Sequence, residues 1–593
     1  MKEKWMLEAK RADFNSLGQR FGISPVLARL IVNRGHQTEE EINRYLNCDL
    51  SLLYDGRLMK DMNKAVELVV NAIKAGETIA IGTDFDNDGI LSGYTLHYAI
   101  ERVGGKALLY APDRVSEGYG LNRRIVDDAK AAGSNFIITC DNGIAAFDAI
   151  NYAKSLGMTV VVTDHHEVAF TEKEEGSREF ILPNADAVVN PKQEDCAYPF
   201  KGLCGAGIAF KLICVLYEEF SISIEEAYQL LEYTAIATVA DVMDLVDENR
   251  IIVKYGLSLL SNTQNIGLRA LMEECSINMD RLSSYHIGFV IGPCFNAAGR
   301  LDTVAMAFDL LQATNQADAV RLAKELRDLN ESRKEMTQEG VDQAMELIEQ
   351  SNIKDDKVLV IKLEHTHESL VGIIAGRVRE RYHKPALVFV DVEDGVKGSG
   401  RSIEAYNMFE ELLKCKDLLS KFGGHPMAAG LSLPAENLEA LRKRLNENTT
   451  LTENDLIPVV KIDVPLPIGY LKLDFIDELE RLEPFGKGNV KPVFAEQHFR
   501  VRKAVILGKN QNVLKLTINN SDGCEIDALY FGDIPAFNAY VEEIFGVEET
   551  RKMYHGQYNN VDLAFTYYPS INDYMGRQTV QIIIQNYCHI PRK

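Results

Sequence analysis

Between residues 76 and 250, short runs of β-branched and aliphatic residues alternate with longer stretches whose apolar positions recur at helical spacing. The runs are Thr78-Ile-Ala-Ile, Ala107-Leu-Leu-Tyr, Phe136-Ile-Ile-Thr, Thr159-Val-Val-Val-Thr and Ala187-Val-Val. This alternation predicts βαβ units and a parallel sheet covered by helices. Residues 1–75 show helical periodicity, with Glu39, Glu40 and Glu41 following Thr38 as a helix start would. Residues 306–353 are charged and helical, which predicts a solvent-exposed linking helix between two lobes. The runs Val358-Leu-Val-Ile and Ala386-Leu-Val-Phe-Val predict a second, smaller α/β unit. Beyond Pro458, Ala504-Val-Ile-Leu, Asn512-Val-Leu-Lys-Leu-Thr-Ile and Val580-Gln-Ile-Ile-Ile predict a small β-barrel with helical insertions. The expected division is a helical lead-in over 1–75, an α/β domain over 76–305, the linking helix over 306–353, a smaller α/β domain over 354–455 and a barrel over 456–593.

A chain of 593 residues is too long for one hydrophobic core, in keeping with that division. Hydrophobic residues at 46% and charged residues at 25% exclude a fibrous or largely disordered chain. The formal charge of -23 excludes indiscriminate coating of nucleic acid, so a polyanion must be held locally. Ten cysteines without a CxxC pair, the opening Met1-Lys-Glu-Lys-Trp-Met and the lack of a long apolar run predict a cytoplasmic protein with reduced thiols and no membrane role.

Candidate chemistry concentrates in Asp84-Phe-Asp86-Asn-Asp88-Gly89, three carboxylates on alternate positions directly after Ile79-Ala-Ile-Gly82. An EF-hand loop would open this way, but its twelfth position is Thr95 where a bidentate Glu is needed, and the loop follows a strand instead of a helix. Asp141-Asn-Gly and Asp164-His165-His166-Glu167 likewise end predicted strands, and Asp241 closes the apolar stretch that starts at Thr234. In open α/β sheets, ligands bind outside the carboxyl ends of the strands, so these distant groups are expected in one crevice. Taken singly, Asp-Asn-Gly is more often a turn and His-His an ordinary pair. Together the carboxylates would repel one another unless cations neutralise them, and Asp with imidazole suits Mn²⁺ or Mg²⁺. A pair of such ions is a recurrent device for phosphoryl transfer.

These motifs resemble the DHH phosphoesterase superfamily, whose triplet stands here as Asp164-His165-His166, and within it the single-strand-specific 5′-to-3′ DNA exonucleases. The resemblance extends through Asn190-Pro191, Leu203-Cys-Gly-Ala-Gly, Thr238-Val-Ala-Asp241, Asn296-Ala-Ala-Gly-Arg300-Leu-Asp302, Gly398-Ser-Gly-Arg401-Ser402, Phe422-Gly-Gly-His425 and Glu483-Pro-Phe-Gly-Lys-Gly-Asn489. It implies a parallel-sheet DHH domain, a smaller α/β DHHA1 domain joined by a long helix, and an oligonucleotide-binding (OB) barrel. Asp84, Asp86, Asp88, Asp141, His165 and Asp241 match the ligands of two divalent ions, Mn²⁺ preferred and Mg²⁺ the alternative. Asp141 and His166 match catalytic positions. Asn296, Arg300, Ser399, Arg401, Ser402, Gly424 and His425 match substrate-binding positions.

The implied reaction is two-metal hydrolysis of single-stranded DNA from its 5′ end, releasing mononucleotides in repair and recombination. A single-strand-binding protein and a helicase are candidate partners, and a monomer is the favoured state. Two departures from the family stand out: Gly82, where His or Tyr is common, and Cys294, where Arg is frequent and would touch the DNA backbone. In the tail, Lys491, Phe494, His498, Phe499, Arg500, Arg502 and Lys503 interleave bases with aromatics, as in a barrel that binds strands by charge and stacking, and ordinary barrel-core phenylalanines explain part of the same pattern equally well. Two rivals remain: a DHH enzyme acting on very short oligonucleotides or cyclic dinucleotides, and a non-catalytic strand-binding scaffold.

Overall fold

The computed structural model describes residues 3–114, 116–172, 178–301 and 303–591. Its contacts divide the chain into two compact units, Leu50–Pro458 and Met1–Asp49 with Val459–Lys593. In the larger unit β1 (Thr78–Gly82), β2 (Lys106–Tyr110), β3 (Phe136–Cys140), β4 (Thr159–Thr163) and β5 (Ala187–Val189) form a parallel sheet, in the order β2-β1-β3-β4-β5. Each coincides with one of the aliphatic runs. Alternate side chains serve opposite faces: Ile79, Ile81 and Ile138 enter one core, whereas Ala80, Ile137 and Val160 enter another. The strand order reverses between β1 and β3, so the ligand crevice lies beyond their carboxyl ends.

The helices of this domain include α1 (Asn87–Arg102), α2 (Gly205–Glu219), α3 (Leu231–Ala240), α4 (Ile266–Glu274) and α5 (Gly292–Leu301). The apolar stretch before Asp241 is thus helix α3, buried along most of its length. The 35-residue helix α6 (Gln316–Gln350) joins this domain to a second sheet. That sheet contains β6 (Leu359–Lys362), β7 (Ala386–Val392), β8 (Gly395–Arg401), β9 (Lys421–His425) and β10 (Ala428–Leu433), in the order β9-β10-β8-β7-β6. Its β6 and β7 run parallel and its other pairs antiparallel. Among the described residues, no helix is long and apolar enough to cross a membrane.

A buried polar knot pins α2. Lys211 Nζ donates to Glu248 Oε1 at 2.5 Å and to the Tyr54 carbonyl at 2.7 Å, while the Tyr198 hydroxyl donates to Glu248 Oε2 at 2.5 Å. Both charges are excluded from water, with side-chain exposures of 3% and 0%. Lys211→Met therefore strands a buried carboxylate and is expected to lower stability by about 3–5 kcal/mol, measured by denaturant unfolding.

In the smaller unit a barrel is formed by β11 (Phe494–Leu507), β12 (Val513–Asn519), β13 (Glu525–Tyr530), β14 (Asp562–Tyr574) and β15 (Arg577–Cys588). The order is β11-β12-β13-β15-β14, and β14 pairs back with β11 to close it. The N-terminal helices Pro25–Asn33 and Glu39–Asn47 belong to this unit, and Leu27, Leu30, Ile31 and Ile42 share one core with Phe475, Leu479 and the barrel interior. Asn489, from the Glu483–Asn489 motif, fastens them: its Oδ1 accepts from the Tyr45 hydroxyl at 2.8 Å and from Arg34 Nε at 3.0 Å. The sequence reading runs the helical lead-in to residue 75, but the structure sets its first 49 residues with the barrel and the helix Met62–Lys74 with the parallel sheet. Partners more than 400 positions apart leave no local periodicity to read.

Candidate active site

The loop after β1 is drawn tight around its own carboxylates. Asp86 caps α1, its Oδ1 accepting from the N–H of Asp88 at 3.1 Å and of Gly89 at 3.2 Å. Gly89 is required there, because a Cβ would lie 2.5 Å from the Asp84 carbonyl oxygen. Both Asp88 oxygens face the amino end of α2, accepting from Gly205 N at 2.6 Å and Ala206 N at 2.7 Å, where the helix dipole favours negative charge. Asp141 follows β3 in a left-handed conformation (φ 61°), and Asp241 follows α3.

These groups converge. His165 Nε2 lies 3.0 Å from Asp141 Oδ1, 3.6 Å from Asp88 Oδ2 and 3.8 Å from Asp241 Oδ2. One potential ligand atom each from Asp84, Asp86 and Asp141 fall within 4.8 Å of one another, and so do those of Asp88, His165 and Asp241. Burial and then the neighbouring carboxylates push Asp84, Asp86 and Asp141 above the usual Asp range. Burial holds His165 below its ordinary value, in the neutral form that ligates metals. Asp141 Oδ1 and His165 Nδ1 are buried without a hydrogen bond. A repelling carboxylate cluster with an imidazole, an unsatisfied buried oxygen and no ligating thiolate fits a hard divalent cation.

Asp164 turns inward to hold the histidines. Its Oδ1 accepts from the N–H groups of His165 and His166, at 2.7 and 3.0 Å, and lies 2.8 Å from His166 Nδ1; its Oδ2 accepts from Ile144 N at 2.9 Å. Burial opposes the charge on both partners, yet their mutual hydrogen bond wins, lowering Asp164 and raising His166. The half-exposed His166 ring meets Tyr119, whose hydroxyl donates to the Asp141 carbonyl at 2.5 Å and lies 3.0 Å from His166 Nδ1. Tyr119 is absent from the sequence-derived set. Its signal is an aromatic flanked by Gly118 and Gly120, both at positive φ.

Beside this cluster lies a cavity of about 510 Å³ lined by Phe85, Arg114, Tyr119, Arg300 and the second sheet. Along β8, Lys397, Ser399 and Arg401 share the face toward it, as period-two alternation requires. Cross-strand rows extend the floor: Lys397, Ser432 and Lys421; then Ser399, Gly430 and Gly423; then Arg401, Ala428 and His425. A Cβ on Gly423 or Gly430 would meet nothing within 4 Å, so beyond Ser399 the middle row is bare. Arg114 stacks over the Phe85 ring at 4.5 Å, and Arg300 Nη1 donates to the Ser369 carbonyl at 2.6 Å. Burial depresses Arg114, Arg300 and Arg401, whose crowded charges favour an anion.

Not every substrate-binding expectation points into this cavity. Arg300, Ser399 and Arg401 line it, and His425 extends the Arg401 row at an exposed hairpin end. Asn296 Oδ1 instead accepts from Asn87 N at 3.1 Å, steadying the acidic loop. Ser402 is buried, its hydroxyl donating to the Tyr406 carbonyl at 2.5 Å, and Gly424 (φ 152°) backs onto Ala428. Asp302 lies outside the described residues. Cys294 is buried within α5 and offers no contact to DNA, while a Cβ on Gly82 would meet Leu121 at 3.3 Å. In the smaller unit Phe494 and Phe499 are fully buried barrel core, a correction to their reading as stacking residues. Arg500 lies over the exposed Tyr558 ring at 5.4 Å, and the exposed Lys491 over the partly buried Tyr568 ring at 4.8 Å.

Comparison with known proteins matches residues 78–238 to the DHH family N-terminal domain, 355–450 to the DHHA1 domain and 462–586 to the RecJ OB domain. The single-stranded-DNA-specific exonuclease RecJ of Escherichia coli is 33% identical over 95% of this chain and 96% of its own length. The protein of that name from Bacillus subtilis is 37% identical over 89% of this chain, which spans 66% of that relative. The crystal structure of Thermus thermophilus RecJ with Mn²⁺ shares the fold, with a TM-score of 0.80 at 24% identity over 99% of this chain and 80% of that one. A manganese-bound exonuclease RecJ, 28% identical, covers 69% of this chain and 98% of its own with a TM-score of 0.56. With a relative one-third identical along nearly the whole of both chains, this chain belongs to the RecJ family.

Proposed function

We propose that the protein is a metal-dependent exonuclease specific for single-stranded DNA, which cleaves from the 5′ end and releases 5′-mononucleotides. The observation that carries this reading is the juxtaposition of the carboxylate–histidine cluster with a cavity walled by Arg114, Arg300 and Arg401. Asp84, Asp86, Asp141, His165 and Asp241 would hold two divalent ions, Mn²⁺ in preference. Asp88 keeps α2 docked and adds negative charge. When bound, such ions activate water and neutralise charge developing on the phosphate.

The remaining work falls to the chain's own groups. Arg300 and Arg401 grip backbone phosphates, Ser399 adds a hydroxyl donor, and the bare Gly423–Gly430 floor lets the strand lie close to the sheet. His166, whose charged form Asp164 favours, donates to a phosphate oxygen at the scissile position, and Tyr119 steadies the ring. Asp164→Asn removes the carboxylate that raises His166. It is expected to lower kcat by about 10²-fold and to move the alkaline limb of the kcat–pH profile to lower pH.

The deciding assay offers Mn²⁺ and 5′-labelled single-stranded DNA, duplex DNA or a dinucleotide to the protein and to Asp141→Ala. Mononucleotide release from the single strand alone, absent in the variant, is the expected result. Turnover of the dinucleotide alone, or strand binding without cleavage, would overturn it.

A further inference from the structure

Cys294, singled out by its place in the Phe295-Asn296 motif, faces inward. Its Sγ lies 3.9 Å from Sγ of Cys275, the residue that closes α4, and also contacts the Val290 carbonyl at 3.2 Å and Asn330 Nδ2 of α6 at 3.5 Å. Cys275 is partly exposed, so small solutes reach one member of the pair while the other is buried.

The helix bearing Cys294 also clamps the acidic loop. Asn296 Oδ1 accepts from Asn87 N at 3.1 Å, and the Gly292 carbonyl accepts from Asn87 Nδ2 at 2.9 Å. Gly299 passes so near the loop that a Cβ would lie 2.2 Å from the Phe85 carbonyl oxygen. Three contacts from α5 therefore fix Phe85 and Asn87, on either side of the candidate ligand Asp86.

We propose that Cys275 and Cys294 form a reversible oxidation site, at which a hydroperoxide installs a disulfide that draws α5 away from the acidic loop and silences the centre. The Cys275 sulfur attacks one oxygen of hydrogen peroxide, the O–O bond breaks, and the leaving hydroxide takes the thiol proton as water. The Cys294 sulfur then displaces the hydroxyl of the resulting sulfenic acid; the S–S bond forms and the Cys294 proton leaves in a second water. Two thiols lose two electrons and one peroxide becomes two waters. The hydrogen bond with Cys294, aided by Lys334 and Arg327, holds the Cys275 thiol below its ordinary value and suits it to attack first.

Bonded sulfurs sit about 2.05 Å apart, so the gap of 3.9 Å must close by nearly half, and the proposal takes part of that closure from a shift of α5. A displacement of this order at a catalytic centre costs about 10²-fold in rate. The consequence for activity rests on the exonuclease reading; the oxidation itself does not.

The test treats the full chain with hydrogen peroxide and then dithiothreitol. It follows the thiols by non-reducing peptide mass spectrometry, Mn²⁺ affinity by calorimetry and cleavage of single-stranded DNA. Expected are a peptide cross-linked between Cys275 and Cys294, a loss of at least about tenfold in Mn²⁺ affinity and cleavage, and recovery on reduction. Cys275→Ser should retain activity and resist peroxide, and Cys294→Ser should lack the cross-link. Absence of the cross-link, an unchanged Mn²⁺ affinity once it forms, or equal peroxide sensitivity in Cys275→Ser would overturn the proposal. Reduced wild-type protein that binds Mn²⁺ without cleaving DNA would count against the exonuclease reading alone, because cross-link and metal affinity would still decide this one.

Discussion

Asp141→Asn is expected to abolish cleavage while leaving the metal-free fold more stable than that of the parent. Asp141 is the point where both halves of the cluster meet, beside Asp84 and Asp86 on one side and His165 on the other. Losing several kcal/mol of metal-assisted stabilisation corresponds to a rate loss of about 10³-fold or more. The stability change has the opposite sign. Asp141 is buried with an unsatisfied oxygen among four other carboxylates, so removing its charge relieves desolvation and repulsion. Because the folded state raises Asp84, Asp86 and Asp141 above their unfolded values, it binds more protons, and metal-free wild-type protein loses stability as pH rises through the carboxylate range. Mn²⁺ reverses this for the wild type, by about 2.7 kcal/mol at one hundred times the dissociation constant. Calorimetric melting with and without Mn²⁺ checks both signs; an Asn variant that melts with the full Mn²⁺ gain would refute the ligand assignment.

Second in size is the effect of filling the bare floor. Valines in place of Gly423 and Gly430 project into open space on adjacent strands, and β-branched residues suit a sheet, so the melting temperature should be unchanged. The strand's phosphates would be lifted from Ser399 and Arg401, and kcat/KM on single-stranded DNA should fall by about 10²-fold, mostly through KM. Steady-state kinetics beside circular dichroism separates the cases. Normal kinetics in a folded double variant would mean that the strand does not lie on this row.

The parallel sheet was legible because each strand is a compact apolar run, and the Asp84, Asp141 and Asp164 motifs because each begins where such a run stops. The long helix was visible in its charge pattern. Side-chain direction was not: Asn296, Ser402 and Cys294 share short motifs with cavity residues yet turn toward Asn87, Tyr406 and Cys275. Asp164 matched a chemistry-bearing triplet, but its inward hydrogen bonds to three backbone N–H groups appear only in three dimensions. Phe494 and Phe499 illustrate the converse. Bases and aromatics interleave in the tail because a strand alternates between core and water, and that produces the same pattern as a stacking surface.

The union of residues 1–49 with the barrel constrains how the polypeptide is made. The helices synthesised first must wait through more than 400 further residues before Phe475, Leu479 and the barrel strands emerge to cover Leu27, Leu30 and Ile31. At ribosomal speeds of about 5–20 residues per second, that wait lasts tens of seconds. A nascent chain stalled before the barrel is complete would display an oily N-terminal surface to chaperones and proteases, which makes the barrel a checkpoint on the integrity of the whole message.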